Sequence, residues 1–594
     1  MVKFVEFFEK FLLLALVFLF PIFFLPFSFE FFEFNKIYLL FYSSLFLLLL
    51  KMGRMLLLER KIYLLKNPLN FSAVFFLIVL LFSFALSADK KTSLFGTYGK
   101  FFDSALFLFS LLIFLFLVWH ADIQRETLLK VFLVSTFLSL VSAYFSFFSV
   151  WKKIPFVSHL SFLQANLGNF ANPFNFATPS IFTFSVFLLL VISALMGVLM
   201  SPSFSKTFKA FCGLFLFLAV LFYFIVDYSF SHLILILSFA TFLFFTLKNR
   251  TLKENVNFLL LPIFVLLLGI FFFFVTLKIY FLPEVLLPQK ISYLTAFNSL
   301  LDPKNFFVGS GPASFLFQYL KEKPKEALKT DFWSLRFVDR ATNNLSETLI
   351  CLGFLGAVAL LSFFFVVFKK SFSQLSKEDL PYFFPLVVLF FAQFFHYQNS
   401  VLGFSLFFFL GLWTLSEQRV SLFEYSFEKF PELNLVLSTL VLLFLIFFGF
   451  SIYFGANFYV ADVYFAKTQS EQNLDKKFEW LQKVQQKNPY LAQYAIFQSQ
   501  LALAAALGES QKPQAERSPE KITRYAQIAL REAQRATQLA PNSPLAWEAW
   551  GVALREIAGF QEETIEAFKK ELSQNPKDPF LFVELVKLYF GKND

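Results

Sequence analysis

Thirteen mainly apolar stretches fill the first 455 positions of the chain. They lie near 8–28, 34–50, 70–87, 101–119, 129–150, 177–200, 210–226, 229–247, 257–280, 346–368, 381–398, 401–415 and 433–455. A helix needs roughly 20 such residues to cross the hydrocarbon core of a bilayer. A chain that repeats this pattern folds as an all-α, polytopic membrane bundle of 12–13 spans. Composition agrees, with 58% hydrophobic and only 15% charged residues. A soluble domain has about 25% charged residues, so a soluble enzyme and a disordered chain are both excluded. Lys3 and Lys10 flank the first stretch in the manner of a signal peptide. No small-residue cleavage site follows, so that stretch is expected to stay as a span. Cys212 and Cys351 both sit in apolar runs, which leaves no disulfide framework and no Cys-based metal site.

Charge sets the expected orientation, because Lys and Arg gather in cytoplasmic loops. With the N-terminus inside, the inside loops carry 17 Lys and Arg, among them Lys51, Arg54, Lys61, Arg125, Lys248, Lys369 and Arg419. The short outside loops carry six: Lys36, Lys90, Lys91, Lys100, Lys152 and Lys153. An odd number of spans then puts the C-terminus outside the cytoplasm. One outside loop is long, about 281–345, with eight Lys and Arg against six Asp and Glu. It is expected to fold onto the outer face of the membrane. Loops of this length are usually functional.

Residues 456–594 form a second, soluble domain. They hold only nine of the 99 Phe, and their 17 basic and 17 acidic residues cancel, so the net charge of +10 belongs to residues 1–455. Trp547, Gly551, Leu554, Gly559, Phe568 and Pro576 fall near the tetratricopeptide pattern, and Ala529, Ala533 and Ala536 supply the preceding unit. Two to three helix pairs, a polar insertion at 508–521 and a capping helix at 578–590 make an α-solenoid-like domain. Such a domain offers a binding surface for protein partners or acts as a spacer.

The most informative residues surround the exit of the long loop. VGSGPASFLFQYLKEKP occupies 308–324, and FWSLRFVDRATNNLSETLICLGFLG occupies 332–356. With LGNFANPFNFA (167–177) and GTYGKFFD (96–103), they resemble the O-antigen ligase and polymerase family of bacterial membrane glycosyltransferases. The matching positions are Gly309, Gly311, Pro312, Phe315, Arg336, Asp339, Arg340, Ala341, Asn343, Glu347, Gly353 and Gly356. The resemblance covers most of residues 1–420. It implies transfer of a glycan from a polyprenyl (undecaprenyl-type) pyrophosphate to a glycan, lipid or protein acceptor at the outer face of the cytoplasmic membrane. No metal, cofactor or nucleic acid is implied, because the pyrophosphate is itself the leaving group.

Such a reaction needs cations on the pyrophosphate and a base near the acceptor hydroxyl. Arg336 and Arg340 are the expected pyrophosphate ligands, since the guanidinium fork pairs with phosphate oxygens. Lys321, with Lys323 and Lys325, offers further positive charge. Gly309, Gly311, Phe315, Asn172, Asn343 and Glu347 are expected to structure the loops. The family's His before the Asn is Thr342 here, and the expected Arg after Ser229 is Phe230. Three of the four His map to the outer face: His159, His232 and His396. His232, about one turn from Asp227, is the candidate base, with Asp227 as its partner.

A second reading is a catalytically inactive relative whose repeats act as a scaffold for envelope assembly. A third, a transporter, would need internal repeats and charges at mid-membrane depth, and few charges lie within the spans.

Overall fold

The computed structural model describes residues 2–154, 173–248, 259–275, 284–335, 338–415, 421–426, 431–557 and 559–591. The chain starts with α1 (Val2–Leu19) and α2 (Glu33–Gly53). Strand β1 (Lys61–Leu65) leads to α3 (Asn70–Ala85), the short α4 (Lys90–Phe95), α5 (Ala105–Trp119) and α6 (Arg125–Phe147). Four more apolar helices follow: α7 (Ile181–Met200), α8 (Lys206–Val226), α9 (Ser229–Lys248) and α10 (Leu260–Phe274). The long loop carries α11 (Gln289–Ser299), α12 (Pro303–Val308) and α13 (Phe315–Glu322). Then come α14 (Asn344–Gln374), α15 (Leu380–Phe395), α16 (Ser400–Thr414), strand β2 (Ser421–Ser426) and the 40-residue α17 (Pro431–Ser470).

Among the described residues the fold is all-α apart from one antiparallel pair, β1 with β2. Among the described residues each of the thirteen apolar stretches contributes a helix, and seven of these helices are long and apolar enough to cross a membrane. The other six fall short of the sequence expectation for two reasons. Helix α1 is 18 residues long but carries Lys3, Glu6, Glu9 and Lys10. Helices α3, α5, α10, α15 and α16 have only 15 or 16 residues. At 1.5 Å per residue they reach about 24 Å, against a hydrocarbon core of about 30 Å. Helix α16 can be short because all 15 of its residues are buried by other helices. Helix α7 is similarly enclosed and packs against α8 and α15.

The loops sort into two ends. At the basic end, Lys10 pairs with Asp122 at 3.0 Å, Arg54 with Glu9 at 3.1 Å and Arg125 with Asp379 at 2.8 Å. There β1 meets β2 with Ile62 opposite Tyr425. At the other end lie the long loop and the second body, which comprises α18 (Leu474–Lys487), α19 (Ala492–Ser510), α20 (Pro519–Leu539), α21 (Pro544–Glu556), α22 (Gln561–Gln574) and α23 (Pro579–Gly591). The insertion expected at 508–521 is shorter than read from polarity, because α19 runs on to Ser510 and α20 begins at Pro519. Consecutive helices pack on one another, and Gly551 lets α21 approach Phe568 of α22. This body rests on the first: Asn542 donates to the Ala88 carbonyl at 3.0 Å, Lys577 to the Lys323 carbonyl at 2.6 Å, and Phe580 stacks on Trp333. The N-terminus and helices α18–α23 therefore occupy opposite ends.

Candidate functional site

Helix α14 is broken near its start. Gly353 has φ 72° and ψ −170°, outside helical space. At the break, the carbonyls of Ile350 and Cys351 accept from the backbone N–H of Ser310 and Gly311, each at 3.0 Å. Ser310 Oγ adds a second bond to Ile350 O, and Ser83 Oγ donates to Cys351 O at 2.9 Å. Gly309 also has a left-handed φ of 71°, and a Cβ there would come within 2.4 Å of the Cys351 carbonyl. The two glycine motifs thus interlock. The carbonyls of Ile350 and Cys351 thus stay hydrogen-bonded across the break, as a lipid environment would demand.

The first turn of α14 is tied on two further sides. Asn343 caps it, with Oδ1 accepting from Ser346 N at 2.8 Å and Nδ2 donating to Gln289 at 2.6 Å. Thr342 N donates to Ser292 Oγ at 3.0 Å, and the Thr342 hydroxyl donates to the Leu287 carbonyl. Asn344 N donates to the His396 carbonyl at 3.0 Å. Helices α11 and α15 are thereby fixed against the residues that carry the charges.

Two cations stand beside this turn. Lys100 closes a tight turn after Gly96, with its N–H on Thr97 O at 2.8 Å. Its ammonium is 1% exposed and pairs with Glu347 and with Asp103 at 2.9 Å, and it donates to the Asp339 carbonyl at 2.7 Å. Burial alone would push it down, but Asp103, Glu347 and Asp339 hold it above the usual lysine range. Arg340 places Nε and Nη2 on the two oxygens of Asp339, both at 3.0 Å. Its guanidinium lies 5.4 Å from the Phe102 ring and 5.0 Å from the Tyr397 ring. Burial raises the Asp339 carboxyl, but Arg340 outweighs that and keeps it below its ordinary value. Arg340 is 21% exposed at its side chain.

A polar chain continues from Tyr397. Its hydroxyl donates to Glu284 at 2.7 Å and accepts from Thr183 at 2.7 Å. Thr183 meets His396 Nε2 at 3.1 Å, and Ser180 donates to Glu284 at 2.8 Å. The ligand atoms of Asp103, Glu347 and Cys351 lie within 4.8 Å of one another. Lys100 already sits on both carboxylates, so this group reads as an ion pair in which the chain supplies its own cation.

Among the other residues singled out in the sequence, Arg336, Asn172 and His159 lie outside the described residues. Lys321 is exposed on the last turn of α13, as is Lys325 beyond it, whereas Lys323 is buried and donates to Trp333 O at 3.1 Å. Phe315 is buried, with Lys100 5.6 Å from its ring. Glu347 serves less as loop structure than as the partner of Lys100. His232 Nε2 meets Asp227 at 3.2 Å and its Nδ1 meets Tyr223 at 3.1 Å, within the α8–α9 hairpin. No hydrogen bond among the described residues joins His232 to Arg340; His396, through Thr183 and Tyr397, is the histidine in that network. Lys100 was visible as an outside-loop cation and, with Asp103, as a member of GTYGKFFD, but neither was expected in the site. Glu284 and Tyr397 carried no signal, because their partners are distant in sequence. Compared with the known protein families and with curated proteins, the chain matches none.

Proposed function

We propose that the chain transfers a glycan from a polyprenyl pyrophosphate to an acceptor hydroxyl, in the manner of the O-antigen ligases and polymerases its motifs resemble. The observation that supports this best is Arg340: a cation at the head of a membrane helix, partly exposed, flanked by Phe102 and Tyr397 and next to the buried Lys100. A guanidinium there would exchange Asp339 for pyrophosphate oxygens and stabilise the charge that develops on them. His396 reaches the cluster through Thr183 and Tyr397, whose ring lies 5.0 Å from the Arg340 guanidinium, and replaces His232 as the first candidate for moving a proton. The site would face the outside of the cytoplasmic membrane, with the basic end inside. The soluble body is read as tetratricopeptide-like, with α21 and α22 forming one helix pair.

A second reading, an inactive relative acting as a scaffold, draws support from Thr342. Where the family has His, this threonine is locked between Ser292 and Leu287 and cannot act as a base. One assay separates the two. Protein in nanodiscs, given a polyprenyl-pyrophosphate glycan and candidate acceptors, is expected to turn over, and Arg340→Ala to lose that activity by about 100-fold or more, the scale of a lost charge-stabilising donor. Absence of wild-type turnover would favour the scaffold.

A further inference from the structure

The helix expected to cap the second body, α23, does the opposite of capping. A helix that closes a stack of helix pairs normally turns a polar face outward. Leu581 and Leu585 of α23 are buried against Ile565 and Phe568 of α22. On its other side Phe582, Val583, Val586, Tyr589 and Phe590 are between 43% and 72% exposed. At 100° per residue these five fall within about 120° of the helix surface, centred on Val586. Glu584 lies off this stripe and is tied back to its own body, to Arg555 at 2.6 Å and to Lys587 at 3.0 Å. The stripe itself carries no charge.

Size and spacing both point to an interface. A fully exposed aromatic presents about 150–250 Å² and a valine somewhat less, so the stripe offers roughly 500 Å² of apolar surface. Patches of that size on a folded surface mark interaction sites. Two such faces together bury about 1,000 Å², the lower bound of a specific interface. Phe582, Val586 and Tyr589 are spaced four and three apart, and Val583, Val586 and Phe590 three and four. This alternation keeps one seam turned toward a parallel partner helix.

The seating of the body decides what can reach the stripe. The turns that open α19, α21 and α23 all touch the bundle. Tyr494 packs on Tyr98 with ring centroids 5.7 Å apart, and Asn542 and Leu545 meet Ala88 and the bundle core. Lys577 and Phe580 meet Lys323 and Trp333. Three successive contacts along one edge mean that these helices rise end-on from the bundle, N-terminus first. The stripe on α23 then faces sideways, where the bilayer does not cover it. Two copies in one membrane share its direction, so a two-fold axis between them runs along the membrane normal. About that axis two upright α23 helices meet in parallel and at the same height.

We propose that α23 pairs with α23 of a second copy of this chain in the same membrane, with Val586 of each copy at the centre of a parallel, self-complementary seam. Tethering to one membrane raises the effective concentration of the two faces and offsets the modest area. The seam begins two residues after Phe580, so pairing would also brace the Trp333 region of the long loop. The proposal is independent of the transfer reading.

The test uses the full chain in native membranes. Both native cysteines are buried, so Phe582→Cys, Val586→Cys and Phe590→Cys report singly, with Arg531→Cys, exposed on α20, as the control. Under mild oxidation each of the three is expected to link to its own copy at least about tenfold more than the control. In mild detergent the protein is expected at twice the chain mass of 69.0 kDa. Val586→Glu, which would bury unpaired carboxylates in the seam, is expected to raise the dimer dissociation constant at least about tenfold. Its unfolding midpoint should hold, because Val586 is half-exposed in the single chain, and the milder Val586→Ser should fall between the two. No excess linking at Val586, or its linking to a different protein, would overturn the proposal. Linking of Phe582→Cys only to Phe590→Cys would show an antiparallel pair and overturn the same-membrane arrangement.

Discussion

Lys100 is sealed from solvent among three acidic neighbours, and the energetics of that arrangement are asymmetric. Removing one partner of a buried ion pair strands the other, which costs about 3–5 kcal/mol. Lys100→Ala is therefore expected to lower the thermal unfolding midpoint sharply in detergent, and Lys100→Met with Glu347→Leu to recover much of the loss. If the double variant is as unstable as the single, the pair is not the cause. Glu30, in the turn between α1 and α2, gives a pH signature. Burial first, and then Glu33, push its carboxyl up to about 7, although the N–H groups of Phe34, Glu33 and Phe32 pull the other way. The folded value lies above the ordinary 4.5, so its contribution is complete below pH 4.5 and is lost as pH rises through about 7. The loss is on the order of 1–2 kcal/mol after allowing for partial exposure. Melting curves between about pH 5 and pH 8 should show this fall, and Glu30→Gln should flatten it. Asn343 was expected from sequence to structure its loop, and it caps α14 by a local contact; Arg340 was expected as a pyrophosphate ligand, and its pairing with the neighbouring Asp339 is what the structure adds. The Lys100–Glu347 pair joins residues 247 positions apart, and no local pattern encodes that.

Helix α14 shows how two short motifs make one element. The glycines at 309 and 353 were readable as landmarks, but the break in the helix was not, because the apolar run passes through Gly353 without interruption. The break exists because the 309–311 backbone takes over the carbonyls of Ile350 and Cys351. A left-handed backbone costs an L-residue about 1–2 kcal/mol, and at Gly309 the added Cβ also meets a carbonyl at 2.4 Å. Gly309→Ala and Gly353→Ala are each expected to loosen the long loop, seen as faster protease cleavage near Lys325 and Lys329. Because both glycines serve one contact, the double variant should cost less than the sum of the singles. Additive losses would show that the motifs act separately. The apolar runs also predicted every span-like helix, yet not their lengths. Periodicity reports which residues avoid water, whereas the enclosure of all of α16 depends on the helices around it.

At the scale of the whole molecule, charge bias and contacts agree on two ends. The loops that carry most of the Lys and Arg meet one another through Lys10, Arg54, Arg125 and the β1–β2 pair, while helices α18–α23 meet the long loop. The sequence made this legible because topology depends on a sum over many residues, which tolerates an error at any one. What it could not convey was that the body formed by α18–α23 is seated on the bundle: the contact of Asn542 with Ala88 joins two surfaces with no shared pattern. The same contact fixes how sidedness is to be measured. Both native cysteines are buried, so single introduced cysteines report cleanly. Lys569→Cys, exposed on α22, is expected to react with a membrane-impermeant maleimide in intact cells whose outer layers have been removed. Lys66→Cys, exposed beyond β1, is expected to react only after permeabilisation. Labelling of both in intact cells would mean that one span is missing between them. Labelling of Lys66→Cys alone would invert the molecule, turn the Arg340 cluster toward the cytoplasm, and remove the basis for transfer at the outer face.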